Sequence, residues 1–132
     1  MRKSILVIAL VVAVATAPSA WASQISLGAS PNPAYVGQRV VHTIAVGAPG
    51  RLDVWVSAQG FVQPRLGTLP RGSWSWQCCP SQTAGTPAWH FRSSSTVSPG
   101  TYRFGADARQ RGTYLSSATV AIASATVWVR II

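Results

Sequence analysis

Along residues 98–108, Tyr102, Phe104, Ala106 and Ala108 alternate with Arg103, Gly105 and Asp107, behind a Pro99-Gly100 turn. Period-two alternation after a turn predicts a strand with one packed and one wet face. Tyr102 stands just past the turn, where the phenol of a tyrosine corner returns to nearby backbone. The same grammar repeats after residue 23. Short runs rich in Val, Ile, Thr and Trp are divided by Gly, Pro and Ser clusters at intervals of about eight to twelve residues, the spacing of a sandwich or barrel. Strands are predicted over 24–30, 39–46, 52–58, 73–79, 88–94, 98–108 and 117–131. The stretch 61–69 is interrupted by Pro64, which suits an edge strand or its loop. The fold class is therefore all-β, a β-sandwich of seven to nine antiparallel strands.

Face assignments follow from the alternation. Val40, His42, Ile44 and Val46 share one face of their strand, and His42 is expected to be buried or half-buried and held by a backbone partner. Leu52, Val54 and Val56 oppose Asp53, Trp55 and Ser57. With the aliphatic set inward, Trp55 is left partly exposed. In the last strand Val127, Val129 and Ile131 oppose Trp128 and Arg130, which puts Trp128 outside. Trp55, Trp128 and Arg130 are the candidate binding surface. Trp74, Trp76 and Trp89 fit either the core of one sheet or a flat platform for sugar rings.

The first 22 residues read differently. Met1-Arg2-Lys3 is positive, Ile5 to Ala17 is uninterrupted and apolar, and Ala20-Trp21-Ala22 is an A-x-A site. These are the three parts of a secretory signal peptide. The apolar run falls short of the ~20 residues that span a bilayer. The expected division is a signal-peptide helix over 1–22, cleaved after Ala22, and one sandwich domain over 23–132, with no transmembrane segment in the mature chain.

Charge narrows the partners. Without Arg2 and Lys3, the eleven cationic residues become nine arginines, set against two aspartates. The arginines are spread along the chain, so the positive field is diffuse and favours anionic polymers and surfaces. For an exported chain those are cell-envelope polymers or another envelope protein rather than nucleic acid.

Cys78 and Cys79 are the only cysteines. In an oxidising compartment two cysteines suggest one disulfide. Adjacent Cα atoms lie about 3.8 Å apart, inside the ~4.4 Å lower end for ordinary bridges. A vicinal disulfide, a bridge to another chain, and two free thiols with Cys78 in the core all stay open. With His90 the pair matches no zinc spacing, and no metal or cofactor is expected. Asp53 and Asp107 are the only side-chain carboxylates of the mature chain, so a glycosidase-type pair would need both to flank one bond. No nucleophile elbow, phosphate loop or H-E-x-x-H motif occurs. The expectation is that the chain is not an enzyme.

Ser30-Pro31-Asn32-Pro33-Ala34-Tyr35-Val36-Gly37-Gln38-Arg39-Val40 resembles the opening of bacterial immunoglobulin-like repeat domains. The strand over 98–108 resembles their G-T-Y-x-F-x-A stretch, and Gly112-Thr113-Tyr114-Leu115-Ser116-Ser117-Ala118 the segment that follows it. The similarity spans most of 24–131 and is poorest between 59 and 87. It implies an immunoglobulin-like sandwich acting as a non-enzymatic exported structural or adhesion module of a bacterial cell envelope. Two other functions fit the residues: a glycan- or anionic-polymer-binding domain using exposed Trp and Arg, and a secreted inhibitor-like module that binds a protein through its loops. His42 departs from the pattern, which has an aromatic there, and the cysteine pair is not part of it.

Overall fold

The computed structural model describes residues 24–57, 62–78 and 87–132. The expected signal peptide over 1–22 lies outside the described residues. Among those described, nine strands form two antiparallel sheets. They are β1 (Ile25–Ser30), β2 (Arg39–Val46), β3 (Gly50–Ser57), β4 (Val62–Arg65), β5 (Gly72–Gln77), β6 (Ala88–Val97), β7 (Gly100–Ala108), β8 (Gly112–Val120) and β9 (Ala123–Ile131). One sheet has the order β1-β2-β7-β4 and the other β5-β6-β3-β8-β9.

The inward faces carry the alternating residues. Val40 and Ile44 of β2, Leu52, Val54 and Val56 of β3, Phe91 of β6 and Phe104 of β7 are buried in one shared core. Burying each such side chain contributes about 1.5–3 kcal/mol. The aliphatic set of β3 is therefore the inner one, and Trp55 lies on the outer face, half-buried. Phe104 packs against Trp74 edge-on across the interior, with ring centroids 5.6 Å apart. Tyr102 donates its hydroxyl to the Ser98 carbonyl at 2.6 Å, which pins the turn entering β7. The edge reading of 61–69 fits β4, a four-residue edge strand containing Pro64.

The single long strand expected over 117–131 is instead a hairpin. β8 and β9 run from Gly112 to Ile131 with a turn at Ala121-Ile122. Ala121 adopts φ of 52°, a left-handed conformation that costs a residue with a Cβ about 1–2 kcal/mol. Hairpin turns usually advertise themselves with Gly or Asn; here nothing in the sequence does. The strain is offset by nine register pairs between the two strands.

The Ser30-Pro31-Asn32-Pro33 stretch moves the chain from one sheet to the edge of the other. Both X-Pro bonds are cis. The Asn32 side-chain amide donates to the Trp128 carbonyl at 2.9 Å, and its oxygen accepts from the Arg130 N–H at 3.1 Å. Ala34 continues the contact by pairing in parallel with Ile131. The outer edge of β9 is thus covered from Trp128 to Ile131, so this part of the last strand is not open to pairing with another chain. Asn32→Ala should lower stability by about 1 kcal/mol, the worth of an exposed hydrogen-bonded pair of this kind. Urea unfolding measures it, and an unchanged midpoint would mean that Asn32 does not hold the edge.

Candidate functional site

The clamp on β9 also builds a site. Chain leaving Ala34 turns tightly over 35–38: the Tyr35 N–H donates to Gln38 Oε1 at 2.8 Å and the Gln38 N–H to the Tyr35 carbonyl at 3.0 Å. Gly37 completes the turn at φ of 95°, a conformation glycine adopts without penalty. This presents Tyr35 beside the end of β9, 62% exposed. Opposite it, Arg111 enters β8, and Arg130 pairs in register with Thr113. Tyr35, Arg111, Thr113 and Arg130 line an open cavity of about 600 Å³. Trp128 stands two residues before Arg130 on the same outward face, 63% exposed.

Electrostatics leave this corner positive. Asp107 is held by Arg39 and Arg65, each at 2.7 Å. Their hydrogen bonds, Arg39 first, pull its carboxyl down to about 2. Asp53 is shared by Arg92 and His90, both at 3.2 Å. The two aspartates are the only side-chain carboxylates in the sequence. Both are engaged elsewhere, so neither neutralises Arg111 or Arg130. Two guanidiniums beside two exposed aromatic rings suit an anionic ligand with flat or apolar surfaces, since arginine binds oxyanions through planar forks.

Trp55 does not join this group. It opposes Ser117 in the ladder, whereas Trp128 opposes Leu115. The two residues share the outer face but stand two strands and one pleat apart, about 12 Å at Cα from standard sheet spacings. Trp55 is stacked on His90 instead, with centroids 3.9 Å apart and planes within 6°. The His90 ring is bracketed by Asp53 at Nε2 and Gln77 at Nδ1. The tryptophans left open divide: all three point inward, Trp74 and Trp89 pack against the core, and Trp76 is 48% exposed at the edge strand. They do not form one platform.

Three further sequence readings meet the geometry. His42 is fully buried; its Nε2 meets the Tyr114 hydroxyl at 3.2 Å, and the backbone of Val40 and Phe104 also acts on the ring. Its ring stacks on Phe104 at 4.4 Å. Cys78 is exposed and disulfide-bonded, which replaces the reading of a free thiol in the core; Cys79 lies outside the described residues. Asp53 is on the outer face of one sheet and Asp107 on the outer face of the other. With sheets about 10 Å apart between them, the two carboxyls cannot flank one bond. Among the described residues, no three His, Cys or Asp side chains gather into a metal site.

Tyr35 and Arg111 were not singled out from the sequence. Both sit in turns, and turn residues carry no period that reveals a partner 76 positions away in the chain. The available signal was the charge count, which leaves most arginines without a carboxylate.

No family model matches the chain, and no curated protein does. Solved structures resemble the chain at low identity. A non-cellulosomal cohesin from the hyperthermophilic archaeon Archaeoglobus fulgidus is 13% identical, with a TM-score of 0.43, over 83% of this chain and 91% of that one. The second type II cohesin module of the adaptor ScaA scaffoldin of Acetivibrio cellulolyticus is 14% identical, with a TM-score of 0.39, over 74% and 70%. A conjugative transposon lipoprotein from Bacteroides eggerthii is 12% identical, with a TM-score of 0.40, over 82% and 96%.

Proposed function

We propose that the chain is an exported, non-enzymatic module of a bacterial cell envelope that adheres to anionic envelope polymers through the corner of β8 and β9. The observation that carries this is the pair Arg111 and Arg130, left without a side-chain carboxylate partner among the described residues and flanked by exposed Tyr35 and Trp128. Cleavage after Ala22 delivers the domain over 23–132 to its site. The arginines attract the polymer, and the aromatic rings give the sugar faces of an acidic glycan something to stack on. An inhibitor-like role draws on one feature only, Ile122, 97% exposed at the hairpin tip. A single exposed aliphatic residue is ordinary on protein surfaces.

Retention of residues 23–132 on an immobilised acidic polysaccharide tests the site. Trp128→Ala should weaken retention about fivefold or more at moderate salt, by analogy with ring-stacking contributions of ~1–3 kcal/mol. Trp55→Ala, on the same face but stacked on His90 and about 12 Å from Trp128, should leave retention unchanged. Equal effects of both substitutions would remove the corner as the binding site.

A further inference from the structure

The opposite face of the sandwich carries a second arrangement. On the outer surface of β2, β7 and β4, Gly105 opposes Val41 on one side and Arg65 on the other. Because Gly105 has no side chain, Arg39 lies across it toward Asp107. A Cβ built at Gly105 would stand 2.8 Å from Arg39 Cδ. Arg103, two residues away on the same face of β7, closes the far side. Arg39, Arg65, Arg103, Val41 and Gly105 line a trough of about 350 Å³. That is at the lower end of the ~300–1,000 Å³ of small-molecule sites.

The orientation of the arginines is specific. Arg39 and Arg65 each meet Asp107 through Nε, at Oδ1 and Oδ2 respectively. This anchors both side chains at the edge of the trough. Ordering long side chains is a main cost of binding, and here the aspartate has already met it for two of the three. Arg103 adds a third guanidinium. Its backbone N–H and carbonyl are engaged by Thr68, which fixes the strand beneath it. Three guanidiniums against one carboxylate leave two positive charges over an open floor. A phosphate monoester carries about −1.5 to −2 at neutral pH, whereas a carboxylate or a phosphodiester carries −1. We infer that this trough is a binding site for a phosphate monoester borne on a small molecule. The inference rests on this face alone and is independent of the corner of β8 and β9.

Titration of isotope-labelled 23–132 with glycerol 3-phosphate, followed by amide NMR, tests it. Shifts should saturate and cluster at Val41, Arg103, Gly105 and Thr68. Glucuronate should bind at least about tenfold more weakly, as expected when one of two charges goes unmatched. Arg103→Gln, which keeps the backbone pairing to Thr68, should weaken glycerol 3-phosphate about tenfold or more, the worth of a charged hydrogen bond. Arg71→Gln, an equal charge change away from the trough, should not. Gly105→Ala should weaken binding by displacing Arg39, and an intact amide spectrum shows that the variant is folded. Shifts spread evenly over all arginines, equal losses for Arg103→Gln and Arg71→Gln, or equal affinity for glucuronate would each overturn the assignment. Shifts confined to Gly112 and Thr113 would do so as well, and would leave the first site standing.

Discussion

Replacing His42 with phenylalanine is expected to remove the acid limb of stability between about pH 6.5 and pH 4. Burial against Phe104 and Tyr114 disfavours the imidazolium, and no carboxylate reaches the ring among the described residues. Desolvation is the dominant cause and lowers the pKa from 6.5 to about 4, while the backbone of Val40 and Phe104 opposes it. The unfolded chain therefore binds a proton that the folded chain refuses. Stabilisation is full above pH 6.5, declines as pH falls, and levels off below pH 4. At 1.36 kcal/mol per unit, the loss is about 3 kcal/mol, a large share of the ~5–15 kcal/mol that holds a domain. Asp107 titrates in a lower window: its stabilisation is present above pH 3.8 and lost as pH falls through about 2. The two limbs are separable. His42→Phe also strands the Tyr114 hydroxyl, which burial keeps protonated, at a cost of about 1–3 kcal/mol. The variant should be weaker at pH 7 yet flat between pH 6.5 and 4, and adding Tyr114→Phe should recover part of the deficit. Urea midpoints across that range report both effects. An undiminished slope in the variant would place the acid sensitivity elsewhere.

Gly67→Ala is expected to destabilise by about 2–4 kcal/mol, combining a strained backbone with two lost hydrogen bonds. Gly67 sits at φ of 61°, and an added Cβ would run into the Arg103 carbonyl oxygen. Relief requires the 66–69 loop to leave β7. That breaks the bonds between Thr68 and Arg103, each 2.8 Å, and pulls on buried Leu69, which closes the core beside them. Gly67→Asn separates the causes, because asparagine tolerates the left-handed conformation but still carries the Cβ. Both variants should lose stability. Recovery with asparagine would mean that conformation alone matters; a loss below about 1 kcal/mol in both would mean that the loop accommodates a side chain.

Much of the fold was legible because strands bury one face, and burial writes period two into the sequence. The inward set Leu52, Val54 and Val56, the outward Trp128 and the edge position of the Pro64 segment all follow from that rule. What escaped was local geometry without a compositional mark. The hairpin turn at Ala121-Ile122 uses ordinary residues in a strained conformation. The clamp by Asn32 depends on side-chain hydrogen bonds to residues 96 and 98 positions away. The candidate site was half visible: alternation exposes Trp128 and Arg130, but the clamp on β9 brings Tyr35 to them and the β8–β9 hairpin brings Arg111. Trp55 shows the converse, since its outward position was legible and its stacking on His90 was not.

The most direct test of adhesion through the corner is co-sedimentation of residues 23–132 with cell envelopes of its own source across a salt series. Screening contracts from about 10 Å at 0.1 M to about 3 Å at 1 M. Arg111 and Arg130 held at the cavity should therefore give binding that weakens steeply with salt and drops well over tenfold in the Arg111→Gln, Arg130→Gln double variant. The charge-matched Arg51→Gln, Arg71→Gln variant should lose far less. Equal losses in the two double variants, or binding that no salt concentration alters, would contradict adhesion by this site.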